Sequence, residues 1–482
     1  MKLIIEARLE GDGIEATDIS IPLAVIERHD DVLEELGLSL AEGRDLLAAT
    51  QSALVSNQAA TWVSTQDYCH DCYTVLRRKD SRAIVMRTVF GKVTLNSPRF
   101  WSCDCEQTPE WQGRTISPLA QALPKRVTPE LEYLQTRWAA HLPYAAATAL
   151  LKEVLPLENS ISASGTRYRI HTAGAEIDIR VEQEIARLPL IGEADHLRES
   201  AHVTAISIDS AWLKHCNPTK DYGQQVSVAA GRATLADGRT RVYAYVGKRV
   251  RSGAGRLDHF LGQCGVRWDE RVTVISDGAG EFMTAVDGSR LARGRILDWF
   301  HIAMKFRAAE QSVISSRRMA GPNWDWVERE IRSAKWLVWH GKGRKAVSRL
   351  QAVNVELEKW PDLEYATLWW NVRKAHSYLQ GNTQFLVNYG ARYRKGLPIS
   401  SAIAESAVNQ VVSLRMAKKR QMRWSDAGAH ALAQVRAADL NGELSPRSFG
   451  YPTQVRQATV WRQEYGELAM AASPTVLRAL QA

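Results

Sequence analysis

Three acidic residues sit where a fold could bring them together. Asp209 closes the strand-like run VTAISID, Asp277 closes RVTVISD, and Glu405 opens the helix-like run ESAVNQVVSLR. Two acids at the ends of neighbouring strands and a third from a packed helix can converge on one point. Converging carboxylates either share protons or hold divalent cations. Taken singly, each is also an ordinary turn former or helix cap. In a basic chain, cation binding points to phosphodiester chemistry on nucleic acid. Mg²⁺ and Mn²⁺ favour oxygen ligands, and two such ions about 3.5–4 Å apart activate a water and stabilise the leaving oxygen. The glycine-rich turn DGAGE after Asp277 would let a phosphate backbone approach closely.

A further acid and a histidine lie in Asp298-Trp-Phe-His301. Asp298 at a strand end would orient His301 by a hydrogen bond, and His301 would meet a scissile phosphate or a DNA strand. A buried pair that fixes a strand-to-helix junction explains the same residues. Asp298 is also the rival to Glu405 as the third acid. Beyond Glu405, the run RMAKKRQMR carries Arg415, Lys418, Lys419, Arg420 and Arg423. These cations suit phosphate contacts flanking a cleavage point, or simply a solvated basic helix face.

Four of the six cysteines cluster, as Cys69-x-x-Cys72 and Cys103-x-Cys105. They flank a hairpin pattern, AIVMRTVFGKVTLNSPRFW, with Gly91 at the turn. Both pairs can therefore meet at its base as a closed, tetrahedral, structural zinc site. Four reduced thiols in an ordinary hairpin are the alternative, and His70 is a poorer ligand than its cysteine neighbours. Cys216 and Cys264 stand alone and read as structural.

The elements that must position these groups follow from pattern. Residues 1–26 alternate as short strands, and 40–65 have helical spacing. Residues 128–187 read as helices begun by Thr128-Pro129, in a helix-turn-helix-like order that puts Arg167 and Arg169 on a DNA-facing helix. Any small helical bundle would give that pattern too. Residues 202–300 give three consecutive strands, a helix, a strand, a helix and a strand. From 303 to about 395 strand signals vanish. Seven of the chain's 16 Trp lie between 321 and 370, which predicts a Trp-rich helical core more than a base-stacking platform.

The 482 residues exceed one ordinary domain. Residues 1–60 carry a net charge of −8, so the rest carries +17 of the overall +9. That surplus points to a polyanionic partner, and the acidic start to a separate face for self-association. No apolar run reaches the length of a membrane span, and the N-terminus does not read as a secretory signal, so an intracellular, membrane-free protein is expected.

Together VTAISIDSAW, VISDGAGEF, ILDWFHI and AESAVNQVVSLRMAKKRQMRWSDAGAHALAQVRA resemble a DDE transposase with a ribonuclease-H-like core. The resemblance is to bacterial insertion sequences of the ISKra group, allied to Mutator-like transposases, over roughly residues 200–440. The upstream cysteine module is similar too. It implies Asp209, Asp277 and Glu405 as first, second and third acids holding two Mg²⁺ or Mn²⁺ ions. Asp298–His301 would then be the D-x-x-H signature of Mutator-like enzymes. The implied fold is multidomain α+β: an acidic strand and helix region (1–60), a zinc-binding β module (61–115) and a helical DNA-binding region (116–200). A ribonuclease-H-like mixed sheet with flanking helices comes next (201–302 and 398–440), interrupted by an all-helical insertion (303–397), with a tail at 441–482. The implied partners are double-stranded DNA, as terminal inverted repeats and target, and further copies in a dimer or larger assembly at the bacterial nucleoid. A catalytically inactive DNA-binding descendant and a metal-dependent nuclease of the same fold are the alternatives.

Overall fold

The computed structural model describes every residue outside 10–18, 30–35, 104, 106–113, 192–202, 204, 220–222, 236, 279, 365, 401–406, 417–421 and 451–482. At the start, β1 (Lys2–Leu9) and β2 (Ile19–Glu27) pair antiparallel. Helix α1 (Leu40–Ser64) begins at a reciprocal cap between Ser39 and Glu42. Arg28, just past β2, donates to both Glu42 oxygens and ties the hairpin to that cap. Strands β3 (Arg78–Thr88) and β4 (Gly91–Trp101) form the expected hairpin, with Gly91 at φ +110°, where a side chain would be strained. The two-residue β5 (Thr115–Ile116) adds to β4, and the short helix α2 (Pro118–Ala122) comes after it.

Three helices come next: α3 (Pro129–His141), α4 (Tyr144–Val154) and α5 (Ala163–Ile191). They are not a separate body. Tyr133, Ala139, Ala147 and Ile170 share one buried cluster with Leu213, Val228 and Ala244 of the large sheet.

That sheet is built from β6 (Ala205–Thr219), β7 (Gly223–Thr234) and β8 (Thr240–Val246), then α6 (Gly253–Gln263), β9 (Val272–Ser276), α7 (Gly280–Asp287) and β10 (Ala292–Leu297). The spatial order is β10-β9-β6-β7-β8. The first three strands form an antiparallel meander. The last two run parallel to β6, each reached through a helix, as parallel pairing requires. This mixed sheet with many helices matches the strand and helix sequence read from residues 202–300.

The segment expected as a helical insertion carries helices and no strand among its described residues: α8 (Trp299–Ser316), α9 (Trp324–Trp339), α10 (Gly343–Leu357), α11 (Thr367–Gly381) and α12 (Tyr389–Arg394). Val327, Ile331, Ala334 and Val338 form the buried stripe of α9 that their spacing predicts. Trp369 is buried, and Trp324, Trp326, Trp339 and Trp360 pack against the same core, whereas Trp336 and Trp370 are exposed. The Tyr389 hydroxyl donates to the Leu297 carbonyl at 2.7 Å, fastening the insertion to the end of β10.

After the insertion, a π-helical turn (Asn409–Ser413) and Leu414–Met416 lead to β11 (Arg423–Trp424) and α13 (Asp426–Leu440). Ser425 caps α13 by accepting from the Gly428 amide at 3.1 Å, as the sequence predicts. This helix solves the edge problem of β8, whose outer backbone groups would otherwise lack partners. Asn441, just beyond α13, accepts from the Val242 amide and donates to the Val242 carbonyl. Gln434 donates to the Ala244 carbonyl, and His430 Nδ1 accepts from the Val246 amide.

Helix α13 also crosses α5 closely at Gly174, where an added Cβ would lie 2.6 Å from Ala431 backbone atoms. Gly174→Ala is therefore expected to destabilise the fold by about 1–3 kcal/mol despite the better helix propensity of alanine. Denaturant unfolding checks this: an unchanged midpoint would mean the helices separate at no cost.

Candidate functional site

The three parallel strands place their acids in one row. β6 pairs with β9 through Ile208↔Ser276, and β10 pairs with β9 through Leu297↔Ser276. Asp209, Asp277 and Asp298 are the next residues on these three strands. Neighbouring strands lie about 4.8 Å apart, so the row puts Asp277 between the other two at one level. Asp209 does not end its strand, contrary to the reading of VTAISID. Its antiparallel pairing with β7 runs on through Asp209↔Ala230 to Lys214↔Gln225, and only the parallel pairing to β9 stops before it.

The row is crowded with negative charge. Burial, then the charges of Asp277 and Asp298, push the Asp209 carboxyl above its usual range. The Ser210 amide, which donates to Asp209 Oδ1 at 2.7 Å, and His301 oppose this. Groups that crowd in this way favour a proton or a cation between them. Asp277 opens a turn in which Gly278 has φ +92°, a conformation that favours glycine. The Tyr378 hydroxyl of α11 donates to the Asp277 carbonyl at 2.7 Å, so the insertion helps hold this turn.

Asp298 has a different role. It is fully buried; Oδ1 accepts from the Phe300 amide at 2.8 Å and caps α8, while Oδ2 meets His301 Nδ1 at 2.7 Å. With each oxygen engaged, Asp298 orients His301 and starts the helix, so the buried pair fixes the strand-to-helix junction. The hydrogen bond to Asp298 raises the His301 pKa, burial opposes, and the charges of Asp298, Asp209 and Asp277 add to the rise. One turn along α8, Lys305 shares the face of His301. Its ammonium lies 4.4 Å from the Tyr378 ring centroid; burial and Lys374 lower its pKa while Asp277 raises it. Lys305 and Tyr378 were missed in the sequence. The i, i+4 step from His301 could have found the lysine, but nothing local marks the tyrosine.

The remaining candidates divide. Glu405, Lys418, Lys419 and Arg420 lie outside the described residues. Ala407 is buried in the cluster that contains Ala230, the cross-strand partner of Asp209. Arg415 is a correction: it is 1 % exposed, donates from Nε to the Ala139 carbonyl at 2.9 Å, and lies over the Tyr144 and Trp424 rings. Its flat guanidinium fills a gap between α3 and β11, and so cannot meet a phosphate from there. Arg423 is exposed on β11. Arg167 is exposed and lies against His171, whereas Arg169 pairs with buried Glu132 at 3.4 Å.

The cysteines do converge. The four Sγ atoms of Cys69, Cys72, Cys103 and Cys105 lie within 4.8 Å of one another, and none is in a disulfide. Cys69–Cys105 and Cys72–Cys103 approach to 3.4 and 3.3 Å. A tetrahedral zinc centre with four Zn–S bonds of about 2.3 Å needs sulfurs separated by roughly 3.8 Å, so this cluster could hold a metal ion such as zinc. The CHDC turn closes with the Tyr73 amide donating to the Cys69 carbonyl, Tyr73 itself at φ +57°. Thr74 holds the Cys72 thiol down to about 6, and the other three sulfurs push Cys105 well up. His70 is exposed and outside the cluster.

No protein-family model matches this chain, and no curated protein matches it.

Metal analysis of purified protein should find about one zinc per chain. Cys103→Ser should lower that content, while Cys216→Ser should leave it unchanged. Asp298→Asn removes the largest cause of the raised His301 pKa, so NMR titration should show that value fall. In the native protein the pairing adds stability below the unfolded His value of about 6.5, and this is lost as pH rises through the raised folded value.

Proposed function

We propose that this protein is a DDE-type DNA transposase that cleaves and joins strands at insertion-sequence ends. The observation that carries the reading is the row of Asp209, Asp277 and Asp298 across three adjacent parallel strands. The strand order also supports it: an antiparallel meander followed by two parallel strands is the arrangement expected of a ribonuclease-H-like core. The position is where open α/β sheets carry their sites, beyond the carboxyl ends of parallel strands.

Asp209 and Asp277 act as ligands, with Glu405 as the third acid and Asp298 committed to His301. Their oxygen donors and the raised Asp209 pKa suit Mg²⁺ or Mn²⁺. When bound, such ions activate the attacking oxygen and neutralise charge on the leaving one. Water attacks phosphorus at the element end; the bond to the 3′ oxygen breaks, leaving a 3′-hydroxyl and a 5′-phosphate. That hydroxyl then attacks a target phosphodiester, loses its proton to solvent, and displaces the target's own 3′ oxygen. His301, steered through Nδ1 by Asp298, offers Nε2 to a phosphate, and Lys305 adds positive charge beside Asp277. The four-cysteine module and the basic surplus of residues 61–482 serve DNA binding, and pairing of two ends calls for two or more copies.

The test is a strand-transfer assay with Mg²⁺ on a duplex carrying the inverted repeats that flank the reading frame. Joined product is expected; cleavage without joining would make the protein a nuclease, and neither would make it a binder. Asp209→Ala, Asp277→Ala and Glu405→Ala should each lower cleavage by at least about 100-fold with DNA binding retained, as for loss of charge stabilisation worth a few kcal/mol. Normal cutting by Glu405→Ala, with none by Asp298→Ala, would transfer the third-acid role to Asp298. Independently of activity, Mn²⁺ should raise the thermal midpoint of the wild type, and Asp209→Asn should abolish that rise.

A further inference from the structure

We infer that Trp212 is a stacking platform for an unpaired nucleic-acid strand, set in a cationic groove beside the aspartate row. Three residues along β6 from Asp209, about 10 Å at the strand rise, Trp212 is 49 % exposed in the midst of a strand. Strand alternation puts it on the opposite face of β6 from Asp209. Among the described residues, β6 loses its β9 partner after Ile208 and meets β11 only at Lys214. Among the described residues, no strand pairs with this edge between Asp209 and Leu213. A strand crossing this notch passes the carboxylates on one face and reaches the indole on the other.

The groove fits that occupant. Trp212 lines a cavity of about 790 Å³ with Gln225, Ser227, Lys248 and Asp426, beyond the end of β8. Lys214 shares the face of Trp212 and stands in register with Arg423. Among the described residues, three cations and one acid around an exposed ring supply phosphate attraction and a flat surface for a base, the combination that single-stranded nucleic acid uses. An unpaired strand suits it better than a duplex, whose bases present no free face. The inference rests on the proposed DNA chemistry only for which strand arrives there; binding needs no cleavage.

The experiment uses the full chain and an oligothymidine single strand carrying one 2-aminopurine. The wild type should bind it and quench its fluorescence. Trp212→Ala should weaken binding about 5- to 150-fold and lose the quench, and Trp212→Phe should keep most of both. Trp336→Ala, at an equally exposed indole on α9, should match the wild type. Lys214→Ala and Lys248→Ala should weaken binding and flatten its salt dependence. Wild-type-like binding and quenching by Trp212→Ala would overturn the inference, as would a change in oligomeric state alone, which would make the patch a protein contact. Trp212-dependent binding by a protein that cuts no DNA would refute the transposase reading and leave this one standing.

Discussion

Parallel pairing of β9 to β6 on one side and to β10 on the other is the constraint on which the candidate site depends. In a parallel ladder, partners in register point to the same face, so ending both ladders at Ser276 brings the next residue of each strand to one level. All three of those residues are aspartates. A slip of one residue in either ladder would send a carboxylate to the opposite face and break up the row. The buried apolar residues beneath, Ile206, Ile208 and Val274, oppose that slip because it would take them out of the core they share.

The surrounding helices hold this end of the sheet from several sides. Helix α8 starts on Asp298 itself, so the residue that orients His301 also fixes the helix that carries it. Tyr389 and Tyr378 reach from the insertion to the carbonyls of Leu297 and Asp277. The insertion is thereby part of the support for the aspartate row. On the far side, α13 and Asn441 just beyond it bring three polar side chains to the backbone of β8, and α13 packs on α5 through Gly174 and Ala431, tying the N-terminal helices into the same core.

Electrostatics separates Asp209 from Asp298. Burial, then the charges of Asp277 and Asp298, hold Asp209 above its usual range, whereas Asp298 has each oxygen engaged, one of them with His301. The same logic applies to the cationic residues. Arg415 belongs to an exposed-looking basic run yet is wholly inside, between two rings and a carbonyl, while Arg423 further along the same run is at the surface. Sign and spacing alone do not distinguish a phosphate contact from a packing residue.

What was legible from the sequence was whatever depends on local pattern. Period-two runs marked β6 to β10, helical spacing marked the stripe Val327, Ile331, Ala334 and Val338, and turn chemistry placed Gly91 and the Ser425 cap. Paired cysteines at each end of a hairpin sufficed to bring four thiols together, because a hairpin brings its ends close whatever surrounds it. Tertiary structure decided the rest. It carried β6 past Asp209, since a strand continues for as long as one neighbour still pairs with it. It buried Arg415, set Asp298 to serve His301, and brought Tyr378 to the backbone carbonyl of Asp277, far back in the chain. Such contacts depend on the packing of distant elements and leave no mark in any local run.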